Sequence, residues 1–189
     1  MKMKIIFLDN DGVICLGSQW GGRDKKMKKF IKETGISEIK LMPAHIRLDS
    51  FDKKAVNVLN DVIGKTGAEI VVSSDWKLHA TLEELQELYL ENGVMKAPIA
   101  ITENMKDFDP ETHGLFSWKG WLERIRVVEV EKFLKDNPQI THWVAIDDLN
   151  LGKHEDEGPG LQNFVLTRRP MNEGIKQSGI KDELLKYLL

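Results

Sequence analysis

Short apolar runs recur along this chain, and three of them stop abruptly at polar side chains. Ile5-Ile6-Phe7-Leu8 ends in Asp9-Asn10-Asp11-Gly12, Ala68-Glu69-Ile70-Val71-Val72 in Ser73-Ser74-Asp75-Trp76, and Trp143-Val144-Ala145-Ile146 in Asp147-Asp148. Such runs read as strands buried on both faces, the mark of a parallel sheet. Ala97 to Ile101 is a further candidate strand and Phe164 to Leu166 the last. Between them the spacing turns helical. Asp24 is placed to cap a helix with Met27, Phe30 and Ile31 on one face and Gly35 at its end. Asp52 starts a second, whose stripe of Ala55, Val56, Leu59, Val62 and Ile63 is ended by Gly64 and Gly67. Leu78, Leu82, Leu85 and Leu88 mark a third, ended by Asn92-Gly93. Val127, Val130 and Leu134 mark a fourth, from about Arg126 to Lys135 and stopping before Asn137-Pro138. Ile180, Leu184 and Leu188 mark the last. Residues 14–22 read as a Gly-rich loop tipped by Trp20, residues 36–50 as irregular and 152–160 as a polar loop. Residues 102–121 carry Met105, Phe108, Phe116, Trp118 and Trp121, and read as a small flap or a packed loop.

Strands alternating with helices predict an α/β fold built on a doubly wound parallel sheet. Right-handed crossovers bring all strand C-termini to one edge, where ligands bind in open α/β sheets. The three polar motifs therefore converge.

Composition narrows the rest. At 189 residues one domain spanning 1–189 is the expectation. A net charge of −3 argues against a protein that coats nucleic acid, though not against a local basic patch. Cys15 is the sole cysteine, which excludes an internal disulfide and reads as a small buried hydrophobe. The apolar run before Asp9 is too short for a signal peptide, and no segment approaches a membrane span. A cytoplasmic protein is expected, and the pattern specifies no oligomeric state.

Asp9 and Asp11 close a buried strand two residues apart, with Gly12 allowing a sharp turn and a close approach to the main chain. Two carboxylates this close repel unless a hard cation such as Mg²⁺ lies between them. A carboxylate is also a nucleophile that can split phosphoryl transfer into two easier steps through an aspartyl-phosphate. Strands ending in Asp-x-Asp, Ser-Ser and Asp-Asp, in that order, resemble the haloacid dehalogenase-like (HAD) phosphohydrolase superfamily, over nearly the whole chain. Phe51-Asp52, Leu59-Asn60 and Val72-Ser73-Ser74-Asp75-Trp76-Lys77 resemble its small bacterial and viral branch, whose relatives include phosphatase modules associated with RNA-repair proteins.

The resemblance implies a Rossmann-like core with a minimal cap, Mg²⁺ as cofactor and a role for each motif. Asp9 is the implied nucleophile and a metal ligand. Asp11 is the implied acid/base, its backbone carbonyl a second metal contact, and it lies on the face of Asp9 if the strand persists that far. Ser73 is the implied phosphoryl-binding hydroxyl, with Ser74 the competing choice and a helix N-cap the structural alternative. Arg126 best fits the implied cation, with Arg124 and Lys119 open. Asp147 completes the metal shell, and Asp148 orients it or exchanges roles with it.

Asn10 is assigned no role. Lys25, Lys26, Lys28, Lys29 and Lys32 read as a solvated face or a grip on a polyanion. His79 falls on a polar helix face, and His154 beside Glu155, Asp156 and Glu157 reads as solvated loop; His45, His113 and His142 show no partner in the pattern. Trp76 reads as core, with stacking on a base as the alternative. The expected partner is a phosphorylated substrate, a nucleotide or nucleic-acid end, because a site without a full capping domain admits bulky esters. A small-metabolite or sugar phosphatase is the runner-up, and a non-catalytic HAD-fold binding module the alternative from another class. Asp11 disfavours a dehalogenase; a phosphomutase shares the motifs.

Overall fold

The strand β1 (Met3–Leu8) lies at the centre of the sheet because both of its faces are covered: Ile5, Ile6, Phe7 and Leu8 are completely buried. The structure, a computed structural model, describes residues 3–16, 22–105, 120–152, 160–168 and 172–189. Trp20 and the rest of residues 17–21, the aromatic stretch 106–119 with His113 and Lys119, and the His154 loop lie outside the described residues.

Further strands are β2 (Glu69–Val72), β3 (Ala100–Ile101), β4 (Ile140–Asp147) and β5 (Phe164–Leu166). The helices are α1 (Gly22–Thr34), α2 (Ala44–Arg47), α3 (Lys53–Thr66), α4 (Leu82–Glu91), α5 (Trp121–Asp136) and α6 (Ile180–Leu188). The five strands run parallel in the order β3-β2-β1-β4-β5, so the fold is the expected α/β, doubly wound parallel sheet. From β1 the chain winds outward through β2 and β3, then returns to the other side of β1 with β4. The reversal between β1 and β4 opens the crevice at their carboxyl ends where such sheets bind ligands.

Ile6 and Leu8 pack on one face, with residues of α3, α4 and α6 such as Leu59, Leu85, Tyr89 and Leu184. Ile5 and Phe7 pack on the other with Val127, Val130 and Phe133 of α5. Phe7 meets the rings of Phe133 and Trp143 edge-on, at 5.6 and 6.0 Å.

Several element ends differ from the pattern-based expectation, each for a local reason. The third helix starts at Leu82 rather than Leu78, because Thr81 and Glu84 form a reciprocal capping box. Leu78 and His79 belong instead to a 3₁₀ turn, Asp75–Leu78, and its end. Residues 36–50 hold a 3₁₀ turn, Ile39–Leu41, and the short α2. The fourth helix begins at Trp121, just after Gly120. β4 extends back to Ile140 through exposed Thr141 and half-buried His142, whose polarity hides the pairing of Ile140 with Met3 and of His142 with Lys4. Asp24 lies inside the first turn of α1 rather than capping it.

The lysine-rich α1 is not uniformly solvated. Lys26 Nζ donates to the carbonyls of His45 and Leu48, both at 2.8 Å, and to Ser50 Oγ. Burial lowers its pKa, against the pull of Asp49. This ammonium fastens α1 to the segment that follows α2. Among the described residues no helix is long and apolar enough to cross a membrane.

Asp52 caps α3 as its sequence position predicts, Oδ1 accepting from the Ala55 N–H at 2.8 Å and Oδ2 from Lys176 Nζ at 3.1 Å. Partial burial works the other way, but the Ala55 N–H and Lys176 hold this carboxyl below its ordinary value. Asp52→Ala is expected to lower stability by about 1 kcal/mol, read as a lower urea midpoint at unchanged slope. The difference from wild type should be full above pH of about 4 and vanish as pH falls through the depressed value of Asp52.

Candidate active site

Pleat and register bring the polar motifs together. Along β1 the side of Ile5 and Phe7 faces α5, so one further alternation sends Asp9 toward that helix. Leu8 is level with Val72 of β2 and Ile146 of β4, which sets Ser73 and Asp147 on either side of Asp9. Val71 and Ala145 also face α5, and the same alternation turns Ser73 and Asp147 that way. The backbone continues the pairing, Asp9 N–H donating to the Ile146 carbonyl at 3.0 Å and Ser73 N–H to that of Leu8 at 2.9 Å.

Arg126 reaches this edge from α5, with only 5% of its surface exposed. Its Nη1 donates to Asp9 Oδ1 at 2.9 Å and to Asp147 Oδ2 at 2.8 Å, and its Nη2 to Asp75 Oδ1 at 2.8 Å. Asp147 Oδ1 accepts from the Leu149 N–H at 2.8 Å. Burial, followed by repulsion from Asp147, pushes the Asp9 carboxyl well above its ordinary range, although Arg126 opposes both. Burial likewise raises Asp147 against the pull of Arg126. One guanidinium is shared between two buried carboxylates, and the site remains short of positive charge.

A third acid stands close by. Carboxylate oxygens of Asp9, Asp147 and Asp148 all lie within 4.8 Å of one another. This all-oxygen set fits a hard divalent cation. Asp148 sits against the bare α-carbon of Gly12, which has φ +75°; a Cβ there would lie 2.0 Å from Asp148 Oδ2.

Asp11 arrives by a turn rather than by strand alternation, because β1 stops at Leu8. The Asn10 carbonyl accepts from the N–H groups of Val13, Ile14 and Cys15 at 2.8–3.3 Å, curling the chain back on itself. The Asn10 side chain, given no role by the sequence, accepts from the buried Tyr89 hydroxyl of α4. Asp11 Oδ2 accepts from Trp76 Nε1 at 2.9 Å, so its carboxylate stands outside the three-acid cluster. Burial of the carboxyl raises its pKa, with the Trp76 hydrogen bond opposing. Trp76 is buried and packs on Phe51 at 5.7 Å, so it holds Asp11 and offers no free face to a base.

The two serines separate by role. Ser74 accepts from the Trp76 N–H and caps the 3₁₀ turn, and its hydroxyl works against the rise in the Asp9 pKa. The Ser73 hydroxyl is buried with no hydrogen-bond partner among the described residues. Of the alternatives to Arg126, Arg124 donates from Nε to the Gly120 carbonyl in its own helix, and Lys119 lies outside the described residues.

A second buried ion pair lies beside this site. Lys77 Nζ bonds to Glu129 of α5 and, at 3.2 Å, to Thr102 Oγ1; Glu129 Oε1 accepts from the Met105 N–H at 3.3 Å. A cavity of about 210 Å³ between Asp75, Lys77, Met105, Ile125 and Arg126 adjoins it. Sequence spacing shows Glu129 one turn from Arg126, but only the helix phase turns both toward the sheet edge.

An all-parallel sheet of this strand order, with acids closing β1 and β4 and a buried arginine between them, defines a HAD-like core. The chain belongs to the family of HAD domains found in Swiss Army Knife RNA repair proteins, whose model matches residues 5–177. Neither a curated protein nor a solved structure matches the chain.

Gly12→Ala is expected to destabilise the fold by about 1–3 kcal/mol, the range for a residue forced into a disfavoured backbone region, because it adds both that strain and the collision with Asp148. Thermal and urea denaturation check it; an unchanged midpoint would mean that Asp148 swings clear at no cost.

Proposed function

We propose that this protein, as a single HAD-like domain acting in the cytoplasm, is a Mg²⁺-dependent phosphatase that removes terminal phosphate from nucleic-acid ends through an aspartyl-phosphate. The observation that carries the reading is the buried Ser73 hydroxyl, at the end of the strand beside that of Asp9 and without a partner among the described residues, in a site already holding Arg126. A buried hydroxyl without a partner is costly, and a phosphoryl oxygen seated beside Asp9 would satisfy it. The description of the family as RNA-repair domains supports a nucleic-acid end as substrate.

In this mechanism an Asp9 carboxylate oxygen attacks phosphorus in line. The phosphorus–oxygen bond to the leaving group breaks, and the departing oxygen takes a proton from Asp11. The raised pKa of Asp11 favours the protonated form that this step needs. Asp11, now ionised, takes a proton from a water that attacks the aspartyl-phosphate, and phosphate leaves with Asp9 restored. Arg126 and Ser73 hold the equatorial oxygens and offset their charge where little water intervenes. Asp9, Asp147 and Asp148 would hold the cation, with the main-chain carbonyl of Asp11 a further candidate contact. When bound, it supplies positive charge that favours the ionised carboxylates and the transferring phosphoryl group.

Purified protein should release phosphate from 5′- or 3′-phosphorylated oligonucleotides with Mg²⁺ and lose that activity in excess chelator. Asp9→Asn should abolish turnover, and Asp11→Asn should slow it by about 10²- to 10⁴-fold. Full activity in chelator, or near-wild-type turnover by Asp9→Asn, would overturn the mechanism; hydrolysis restricted to sugar phosphates would overturn the substrate class.

Trp76→Phe keeps the packing on Phe51 but removes the donor that favours ionised Asp11. The pKa of Asp11 then rises, so the alkaline limb of the kcat/KM profile, where Asp11 loses the proton it must donate, should move to higher pH. An unmoved limb would mean that another group governs it.

A further inference from the structure

A cavity of about 870 Å³ lies between α1, the Ile39–Leu41 turn and α2 on one side, and the Asp75–Leu78 turn with the start of α4 on the other. It has no part in the chemistry above, and its size is within the range of ligand sites, about 300–1,000 Å³. Two features identify its occupant.

The first is position. In the proposed mechanism the leaving oxygen sits at Asp11, so the remainder of the substrate extends past that residue. Trp76, whose indole N–H bonds to Asp11 at 2.9 Å, is followed directly by the cavity-lining Lys77, and Arg23 at the start of α1 lines the facing wall. The opposite wall contains Lys77 and Leu78, which directly follow the Ser73-Ser74-Asp75-Trp76 segment of the site. The cavity thus adjoins the site on its leaving-group side.

The second is chemistry. Ile39 and Leu78, 53% and 47% exposed, contribute apolar surface from opposite walls. Of the lining cations, Arg47 is paired with Glu84, and Lys77 with Glu129. Arg23 and Lys40 make no ion pair among the described residues and face one remaining lining carboxylate, Asp24. Arg47 is more than nine-tenths buried, and its Nε has no hydrogen-bond partner among the described residues. Apolar walls for base faces, with cations unpaired among the described residues for a backbone, match single-stranded polynucleotide, on a chain whose overall net charge is −3.

Resting on the phosphatase reading, we infer that this groove binds the nucleotides next to the phosphorylated end of a single strand, with Arg23 and Lys40 on their phosphates and Ile39 and Leu78 against their bases. The enzyme therefore prefers short oligonucleotides to mononucleotides carrying the same terminal phosphate.

Binding of a fluorescently labelled single-stranded RNA hexamer, measured by anisotropy over a salt series, tests this without turnover. Lys40→Ala and Arg23→Ala should each weaken binding and lower the slope of log affinity against log salt by about 1. In the steady state, the ratio of kcat/KM for the hexamer to that for a mononucleotide should fall in both variants. Both positions are exposed, so the variants are expected to fold, and circular dichroism checks it. Unchanged hexamer affinity and salt slope in both variants would overturn the groove while leaving a phosphatase intact. Binding that depends on Arg23 and Lys40 in a protein that cleaves no phosphoester would keep the groove and overturn the phosphatase reading.

Discussion

Asp9 and Asp147 end adjacent parallel strands, on the same face and out of water, where two negative charges repel strongly. Arg126 answers that repulsion with one nitrogen shared between them. Much of the surrounding structure serves this contact. α5 must pack on Phe7 and Ala145 for its arginine to reach the sheet edge, and Leu149 must fold back to occupy the second oxygen of Asp147. A buried charge cluster of this kind contributes little net stability, since desolvation offsets attraction. Its worth lies in fixing where the acids stand. Among the described residues, Asp9 and Asp147 share that one arginine, and with Asp148 they form an all-oxygen set that fits a hard cation.

The turn after β1 shows how the main chain supports that arrangement. The Asn10 carbonyl gathers three successive N–H groups, and its side chain is tied to Tyr89 from the opposite face of the sheet. Asp11 is therefore aimed by a rigid curl and by the Trp76 indole, while Gly12 leaves room for Asp148. Residues that would touch no substrate set the separation between Asp9, Asp11 and Asp148.

The sheet was legible in the sequence because parallel strands buried on both faces leave unbroken apolar runs; β5 has the limits its run indicates, and β2 ends where its run does. The convergence of Asp9, Ser73 and Asp147 was legible for the same reason: strand period and register suffice. Contacts set by helix phase or by turns were not. Asp75 on Arg126, the Lys77–Glu129 pair and Tyr89 on Asn10 join residues whose relation emerges only once α4 and α5 are docked. Asp11 reached the site through a turn where strand alternation had been the argument. Trp76 is core, as its apolar bulk suggested, but its indole N–H, directed at Asp11, leaves no trace in hydropathy.

The strand order also governs when the site can exist. β1 ends at Leu8, yet its neighbour β4 begins only at Ile140. Until β4 has been made, the edge of β1 that will receive it has no partner, and Asp9 lacks Asp147 beside it. Contacts this distant in sequence slow folding, because a long loop must close before they form. The centre of the sheet and its carboxylate pair are thus completed late, and a chain interrupted before β4 would expose an apolar strand edge of the kind that recruits other chains.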